Sequence, residues 1–340
     1  MTSTSPASAE SVASANVIDI HAHAVLEGSL GAAGAAGPEL GEHDGVPFYR
    51  VGDYILNGVP YRGSPFMDVD VRLASMDAHG IDIQMLSPNP LTYFTNLDAP
   101  AAVTYCRQHN DELAKIAAEH PTRLLGAAQL PMQDLDAAIS ELERSVRELG
   151  LVAAYIDTDP GRTLDDPALD EFYAAVHSLD VPLFVHPTSV GEMGPPGDPR
   201  LRRFDLDLLL GFAYSETLAV AALVFGGVLE RHPDIDICVS HGGGAIQTLA
   251  RRFARAAEKR RWASERLRSE GFMSFLSRLW FDTHLHSDLA LRGLAEQVGT
   301  ERLVFGTNFA GWDADGPGEL PTVQGADLAV NARRLLRFER

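Results

Sequence analysis

The sequence is poor in cysteine and has no excess of positive charge. Its 340 residues include two cysteines, Cys106 and Cys238, so neither a disulfide framework nor a cysteine-type zinc site can be built from them. A reducing cytoplasm is the expected location. The 28 lysines and arginines are outnumbered by 47 acidic residues, which gives a formal net charge of −19. This balance argues against a nucleic-acid-binding surface, which needs basic patches.

The N-terminal stretch lacks the features of a leader. Residues 1–16 are rich in serine and alanine, with no basic start and no apolar stretch. They are expected to form a disordered tail and not a signal peptide. No apolar run of roughly 18 residues, the length that spans a bilayer, is expected. We therefore expect no membrane partner, and we expect residues 17–340 to form a single domain.

From Val17 onward, strand-like and helix-like segments alternate. Eight short apolar runs, of which the first is VIDIHAH and the last is RLVFGT, are each followed by a helical stretch or a long loop. Strands that are separated by helices pair in parallel. Eight such units predict an α/β fold of the (β/α)8 TIM-barrel type. A doubly wound sheet is the alternative, but no glycine-rich phosphate loop follows the first strand.

Two long insertions interrupt this alternation. The first, residues 25–66, follows strand one and contains GAAGAAG and four prolines; the second, PTSVGEMGPPGDPRLRR, follows strand five. Long loops at the mouth of a barrel usually shape the access of substrate. Both insertions are therefore expected to lie near the predicted site.

Histidines end several of the predicted strands. They are His21 and His23 on strand one, His186 on strand five and His241 on strand six, while Asn308 ends strand eight. The C-terminal ends of barrel strands converge on one mouth, and alternate residues of a strand face the same way. Imidazole binds zinc and also suits iron. The combined pattern predicts a metal centre, although any one of these histidines alone would be an ordinary polar strand end.

These segments resemble the amidohydrolase-2 branch of the amidohydrolase superfamily, the branch of aminocarboxymuconate-semialdehyde decarboxylase. The resemblance rests on IDIHAH, RLASMDAHGIDIQMLS, QLPMQ, LFVHP, ETLAVAALVFGGVLERHPDIDICVSHGGG and RLVFGT. In such decarboxylases the histidines of strands one and five and an aspartate of strand eight hold one metal. The strand-six histidine acts on the substrate or on a metal-bound water. The resemblance thus implies that His241 is catalytic and that the metal ligands include His21, His23 and His186.

Two positions depart from the family pattern. The family's GTD is GTN here, so Asn308 stands where an aspartate that can move a proton is expected. Either the chemistry has changed, the enzyme is inactive, or the asparagine is an engineered substitution. Strand four ends with Asp157, where the decarboxylases tend to have glycine. Asp157 is either a bridging metal ligand or a turn aspartate.

Together, Asp157 and Asn308 favour a redox centre. The pair is similar to the amidohydrolase-fold non-haem diiron monooxygenases of diterpenoid biosynthesis. This likeness implies two iron ions, O2 and an apolar, carboxylate-bearing, terpenoid-like substrate. Asp157 would bridge the ions, and Asn308 would be both a ligand and a catalytic residue beside the ligands His21, His23, His186 and His241. The alternative is a decarboxylase or hydrolase with one zinc or manganese ion, and a third possibility is a barrel that only binds ligand or supports a partner.

Three further residues are predicted to bind substrate. Arg62, in GVPYRGSPFMDVDVR, resembles the family arginine that pairs with a substrate carboxylate, and Arg50 is its reserve. His284 follows strand seven and is expected to line the pocket or support a ligand. Asp313 is a weaker candidate for the missing carboxylate. The basic run RRFARAAEKRRWASERLR is interpreted as a solvated helix face or a subunit contact, and a homodimer is expected.

Overall fold

The centre of the fold is a parallel eight-stranded sheet. The structure is a computed structural model that describes residues 6–188, 198–309, 311 and 322–338. The strands within these residues are β1 (Ile18–Ala24), β2 (Glu39–His43), β3 (Val46–Val51), β4 (Tyr54–Asn57), β5 (Ile83–Pro88), β6 (Leu124–Gln129), β7 (Ala153–Asp157), β8 (Leu183–His186), β9 (Ile237–Val239), β10 (Trp280–Asp282) and β11 (Leu303–Val304). Strand β1 and strands β5 to β11 pair in parallel, in the order in which they follow one another.

The last strand of this sheet returns to the first. The backbone N–H of Ile20 donates to the carbonyl of Phe305 at 3.0 Å, and that of Phe309 donates to the carbonyl of His21 at 3.1 Å. Ala22 and Phe309 also form a parallel bridge. The predicted α/β TIM-barrel fold is therefore confirmed as a nearly closed parallel barrel.

Helices separate successive barrel strands. The helices of the described residues are α1 (Pro6–Ser14), α2 (Val69–His79), α3 (Ala99–Glu119), α4 (Leu135–Arg147), α5 (Asp170–Leu179), α6 (Leu206–Leu209), α7 (Gly211–Phe225), α8 (Val228–Arg231), α9 (Ile246–Lys259), α10 (Glu265–Glu270), α11 (Phe272–Leu276), α12 (Asp288–Val298) and α13 (Leu328–Leu335). Aspartates cap several of them: Asp68 and Asp134 each accept from a backbone N–H in the first turn. In α4, the apolar residues Ala138, Leu142 and Val146 recur every four residues and are buried. This spacing is the signal by which the sequence predicts an amphipathic helix.

Alternate residues of each strand face two different cores. Ile20, Met85, Ala127, Tyr155 and Phe184 belong to a buried cluster that fills the barrel interior and continues to apolar residues of α1 and α13. The strand residues between them pack against the helices. This period of two follows from the pleat of the strands. It also places side chains at the strand ends, such as those of Asp157 and His186, on the interior side.

Part of the predicted N-terminal tail is helical. Helix α1 covers Pro6–Ser14, and Val12 is fully buried in the same cluster as Ile18 and Leu335. The backbone carbonyl of Ala15 accepts from Nη1 of Arg333 at 2.7 Å. The prediction of disorder fails for these residues because a few apolar contacts anchor a segment whose composition is otherwise typical of a tail. Residues 1–5 lie outside the described residues.

Between β1 and α2 the chain forms a second, antiparallel sheet. It has the order β2-β3-β4, and its Tyr49 packs in a buried cluster with Tyr61, Phe94 and Tyr105. This sheet lies within the first predicted insertion. Residues 189–197 of the second insertion lie outside the described residues, so the bounds and roles of both insertions stay predictions.

One helical stretch is longer and more apolar than the sequence analysis expected. Leu206–Phe225, which comprises α6 and α7, is long and apolar enough to cross a membrane by length and composition. The prediction that no such run exists is therefore wrong. One face of α7, which includes Glu216, Val220 and Leu223, is nevertheless buried in the fold. The cytoplasmic location stays a prediction.

Candidate metal centre

Three buried histidines meet where β1 and β8 end. His21, His23 and His186 can each offer one ring nitrogen as a metal ligand, and these three nitrogen atoms lie within 4.8 Å of one another. The Nε2 atoms of His21 and His23 are 3.1 Å apart. The structure therefore brings together the predicted ligands of strands one and five.

The other ring nitrogen of each histidine is held by the fold. In each case Nδ1 lies within hydrogen-bond distance of an oxygen: Oδ2 of Asp282 at 2.8 Å for His21, the carbonyl of Pro88 at 2.9 Å for His23, and the carbonyl of Pro187 at 2.6 Å for His186. Carbonyl and carboxylate oxygens accept, so Nδ1 carries the proton. Each Nε2 is then free of a proton and can bind a metal.

The electrostatics of His186 suit a metal ligand. Burial, followed by the charges of His23, His21 and His241, holds the pKa of His186 well below its ordinary value. Its Nε2 is buried and has no hydrogen-bond partner among the described residues. An unpaired polar atom in the interior is costly, and a neutral imidazole is the form that binds metal. The residues therefore fit one divalent ion.

His241 lies beside these three histidines but is directed at a carboxylate. Its ring centroid is 4.9 Å from that of His186 and 5.0 Å from that of His21. Nδ1 of His241 lies 2.6 Å from Oε1 of Glu216, which also accepts from Oγ of Ser240 at 2.6 Å. Burial raises the pKa of Glu216. Because His241 lies outside the group of mutually close nitrogens, its position suits proton transfer better than direct coordination.

Glycines allow α7 to approach His241. The chain turns sharply after β9, with φ of 45° at His241 and of 59°, 74° and 67° at the three glycines that follow. A Cβ atom on Gly244 would lie 2.1 Å from the carbonyl oxygen of Ala213 in α7. The HGGG segment thus permits the close contact through which Glu216 reaches the site.

Asn308 is buried on the β1 side of the barrel mouth. Its backbone has φ of 49°, a left-handed conformation in which asparagine is enriched. The adjacent Thr307 donates to Asp19 from its N–H at 3.1 Å and from Oγ1 at 2.7 Å, and Phe309 donates to the carbonyl of His21. These bonds fix the loop, so Asn308 can present a neutral amide to the site. Asp313 lies outside the described residues.

Asp157 faces the barrel interior but does not join the three histidines. It pairs in register with His186, yet it is absent from the group of close ligand atoms. Its Oδ2 is buried without a hydrogen-bond partner among the described residues, and burial raises the pKa of Asp157 to about 8. With Tyr93 and Gln129 it lines a small cavity. Because Asp157 lies outside the group of close ligand atoms, a carboxylate bridge between two ions is not supported, and neither is the predicted two-iron centre.

Of the predicted substrate-binding residues, His284 lies at the site. It is buried, and its ring centroid is 5.7 Å from that of His241 and 6.2 Å from that of His21. A side chain in this position can contact a substrate held beside the three histidines. The role of His284 in substrate binding stays a prediction.

The two predicted arginines are engaged elsewhere. Arg50 donates to Oε2 of Glu39 from Nε at 2.9 Å and from Nη2 at 2.6 Å, and to two backbone carbonyls from Nη1. Its donors are used inside the small sheet, so a substrate carboxylate would have to displace Glu39, and the reserve role of Arg50 stays a prediction. Arg62 pairs with Glu27 at 2.7 Å, and both side chains are mostly exposed. Its role stays a prediction, and a substrate carboxylate would have to displace Glu27.

Two carboxylates of the site, those of Glu216 and Asp282, were not among the residues predicted from the sequence. Glu216 is the only charged residue of α7, whose sequence is GFAYSETLAVAALVF. Asp282 ends β10, two residues before His284. A lone carboxylate in an apolar helix and an aspartate at a barrel strand end are the signals that could have revealed them.

Comparison with known proteins adds the family context. The amidohydrolase family model (Amidohydro_2) matches residues 18–338. The chain is 29% identical over 243 residues to 2-amino-3-carboxymuconate-6-semialdehyde decarboxylase of Dictyostelium discoideum, a match that covers 71% of this chain and 66% of that protein. It is 30% identical over 296 residues to gamma-resorcylate decarboxylase of Rhizobium radiobacter, which covers 79% of this chain and 87% of that protein.

Solved structures show the same likeness. A 2,6-dihydroxybenzoate decarboxylase complexed with 2,6-dihydroxybenzoate has a TM-score of 0.67 and 27% identity, over 81% of this chain and 90% of that one. A dihydroxybenzoic acid decarboxylase from Polaromonas, with bound manganese and the inhibitor 2-nitroresorcinol, has a TM-score of 0.72 and 22% identity, over 96% and 98%. At that identity the second likeness supports the fold alone.

The comparisons overturn the predicted monooxygenase. The two relatives described above are named decarboxylases, which are not oxidoreductases, so the main functional prediction is wrong. That prediction rested on Asp157 and Asn308, and two positions weigh less than a match over nearly the whole chain. The narrower likeness to diterpenoid oxygenases is not supported. The findings agree with the alternative, a non-oxidative decarboxylase with one metal ion.

Proposed function

The chain belongs to the amidohydrolase family, and from this premise we propose that it is a metal-dependent, non-oxidative decarboxylase of a small carboxylic acid. The observation that carries the proposal is the buried group of His21, His23 and His186 with His241 beside it. Three imidazole nitrogens, with the amide oxygen of Asn308 as a neutral addition, suit one zinc or manganese ion. When bound, such an ion stabilises negative charge that develops on the substrate.

His241 is the residue proposed to handle the proton. Decarboxylation breaks the bond between the carboxyl carbon and its neighbour, releases CO2 and leaves an electron pair on the neighbouring carbon, which must gain a proton. Glu216 accepts a hydrogen bond from Nδ1 of His241 at 2.6 Å, and its charge stabilises the imidazolium form. Nε2 of His241 can then deliver the proton to carbon. Asn308 cannot take this role because an amide does not ionise near neutral pH.

The remaining predicted residues bind and orient the substrate in this proposal. His284 lies beside His241 and can donate or accept a hydrogen bond with a polar substituent of the substrate. Arg62 can pair with a carboxylate once Glu27 is displaced. Residues 25–66 and the segment after β8 would cover the mouth. The substrate class follows the names of the relatives: an aromatic hydroxy acid or an unsaturated amino dicarboxylate derivative.

Release of CO2 from a panel of acids tests this function. The full chain, loaded with manganese or zinc, is assayed with gamma-resorcylate and with 2-amino-3-carboxymuconate-6-semialdehyde, and CO2 and the decarboxylated product are quantified. We expect release by the wild type and none by His186→Ala, which should also fail to retain metal. His232→Ala is the control, since His232 pairs with Asp170 away from the three histidines. CO2 release that is unaffected by His186→Ala, or no release from either acid by the metal-loaded wild type, would contradict the proposal.

A further inference from the structure

A small cavity lies on the flank of the candidate metal centre. Tyr93, Gln129 and Asp157 line it; Gln129 ends β6, Asp157 ends β7, and Tyr93 follows β5. The rings of Tyr93 and of Tyr155, which also lines the cavity, each lie 6.3 Å from the ring of His186 between centroids. A substrate held at the three histidines therefore has the cavity within reach of one of its substituents.

Three buried polar atoms around this cavity lack a hydrogen-bond partner. They are the hydroxyl oxygen of Tyr93, Oε1 of Gln129 and Oδ2 of Asp157, and the statement covers residues 6–188, 198–309, 311 and 322–338. The three residues are 7%, 1% and 2% exposed, so bulk water does not satisfy these atoms. An unpaired polar atom in the interior is costly, and three of them around one cavity indicate a place for a polar group of a ligand.

The other polar atoms of these side chains are held by the fold. Nε2 of Gln129 donates to the carbonyl of Thr92. Oδ1 of Asp157 accepts from Oγ1 of Thr158 at 3.1 Å and from the N–H of Asp159 at 3.2 Å. Both side chains are thus fixed before a ligand arrives, which lowers the entropic cost of binding one.

The unpaired atoms define the chemistry of the group that would bind there. Oε1 of Gln129 can only accept a hydrogen bond, so the group must donate one. The hydroxyl of Tyr93 can donate, and burial raises the pKa of Tyr93 well above its ordinary value, so this proton is retained. Oδ2 of Asp157 accepts when the carboxyl is ionised and donates when it is protonated. A hydroxyl or amino group both donates and accepts and can therefore bond at least two of the three atoms, whereas a methyl group bonds none.

Size and charge exclude a larger or anionic group. The cavity has a volume of about 10 Å³, which is room for roughly one water-sized group. A second carboxylate of a substrate exceeds this size, and its negative charge would lie against Asp157. In the described part of the chain no lysine or arginine lowers the pKa of Asp157, so the cavity offers no countercharge to an anion.

We propose that Tyr93, Gln129 and Asp157 form a polar subsite that binds a hydroxyl or amino substituent of the substrate and thereby determines which acids the site accepts. Asp157 then acts in substrate selection and not in metal binding, in agreement with its place outside the group of close ligand atoms. This role rests on the proposed function in one respect, that the substrate carboxylate is held at the three histidines.

Isothermal titration calorimetry of the full, metal-loaded chain tests the preference of the subsite. The probes are benzenesulfonates with a hydroxyl, amino or methyl group at the meta or para position, in which the sulfonate stands for the carboxylate and cannot leave as CO2. At one of the two positions we expect the hydroxyl and amino compounds to bind at least tenfold more tightly in Kd than the methyl compound. Equal affinities at both positions would show that the cavity holds only water, and this result or no binding by any probe would overturn the subsite. Because the probes do not react, this outcome is distinct from a failure of CO2 release.

Two substitutions with matched controls locate the preference. Tyr93→Phe and Asp157→Ala should each reduce the preference over the methyl compound to less than threefold. Tyr49→Phe is the control for the first, because the hydroxyl of Tyr49 is also buried without a partner among the described residues but belongs to the cluster under the small sheet. Asp159→Ala is the control for the second, since Asp159 is exposed and does not line the cavity. Both controls should keep the preference of the wild type, and a preference that survives in Tyr93→Phe and Asp157→Ala would contradict the assignment.

Thermal unfolding separates a binding role from a structural one. Tyr93→Phe deletes a buried hydroxyl that has no hydrogen-bond partner in the described residues, so its Tm should not fall below that of the wild type although the preference is lost. A lower Tm of Tyr93→Phe together with an unchanged preference would show that the hydroxyl serves the packing of the fold, and would overturn its place in the subsite.

Discussion

Nδ1 of His241 lies 2.6 Å from Oε1 of Glu216, although the two side chains come from different elements, the turn after β9 and the middle of α7. This hydrogen bond fixes the tautomer of His241: Nδ1 carries a proton, and Nε2 is available for proton transfer. Ser240 donates to the same carboxylate oxygen. A charge on Glu216 is therefore directed at the residue that we propose to protonate the substrate.

Glu216→Gln removes this charge and keeps the shape of the side chain. Loss of a hydrogen-bond partner of this kind typically lowers activity by roughly 10- to 100-fold, so we expect the rate of CO2 release to fall by about that factor. Metal content, measured by atomic emission, should not change, because His241 lies outside the three-histidine group. Ser240→Ala is the control and should have a smaller effect. Loss of metal from Glu216→Gln would show that His241 is a ligand instead.

Asp282→Asn should weaken metal binding. Oδ2 of Asp282 lies 2.8 Å from Nδ1 of His21, and a carboxylate in this position fixes the tautomer and makes the ring a better ligand. We expect the affinity for metal to fall by roughly 10- to 100-fold, as measured by competition with a coloured chelator. Asp236→Asn is the control, since Asp236 accepts hydrogen bonds from Trp280 and Arg337 and not from a histidine of the site. Equal affinities of wild type and Asp282→Asn would show that His21 does not bind the metal through the proposed atom.

Local patterns in the sequence were enough to predict the barrel and the gathering of its histidines. Alternation of strands and helices implies parallel pairing, and strand ends converge, so His21, His23 and His186 could be expected at one mouth. The hydrogen bond between His241 and Glu216 could not be predicted, because it depends on how closely α7 packs over the turn after β9. The pairing of Arg50 with Glu39 could not be predicted for a similar reason: it arises only when β2 pairs with β3.

Removal of the metal should lower the thermal stability of the wild type. At a free metal concentration 100-fold above Kd, binding contributes about 2.7 kcal/mol. For a chain of 340 residues this corresponds to a fall in Tm of about 4 °C on chelation, measured by differential scanning calorimetry. The Tm of His186→Ala should not respond to the chelator. A wild type that is equally insensitive would argue against a metal held by the three histidines.

Gly244→Ala should destabilise the protein strongly. Gly244 has φ of +67°, and a Cβ atom there would lie 2.1 Å from the backbone oxygen of Ala213. We expect a loss of more than about 3 kcal/mol in the free energy of unfolding, from backbone strain and from displacement of α7. Gly271→Ala is the matched control, because Gly271 also has positive φ but open space around it. Equal losses in urea denaturation would mean that the contact with α7 does not matter.

His109 should make the protein sensitive to acid. It is buried in α3, and burial lowers the pKa of His109 to about 4, below the ordinary value of about 6.5 in the unfolded chain. As pH falls, the unfolded state therefore binds this proton first. The contribution of His109 to stability is complete above pH 6.5 and is lost between pH 6.5 and pH 4, by about 3 kcal/mol in total. In His109→Phe, the free energy of unfolding in urea should decline less over this range. The exposed His177, replaced by glutamine, is the control. If both variants follow the pH dependence of the wild type, His109 is not the source of acid sensitivity.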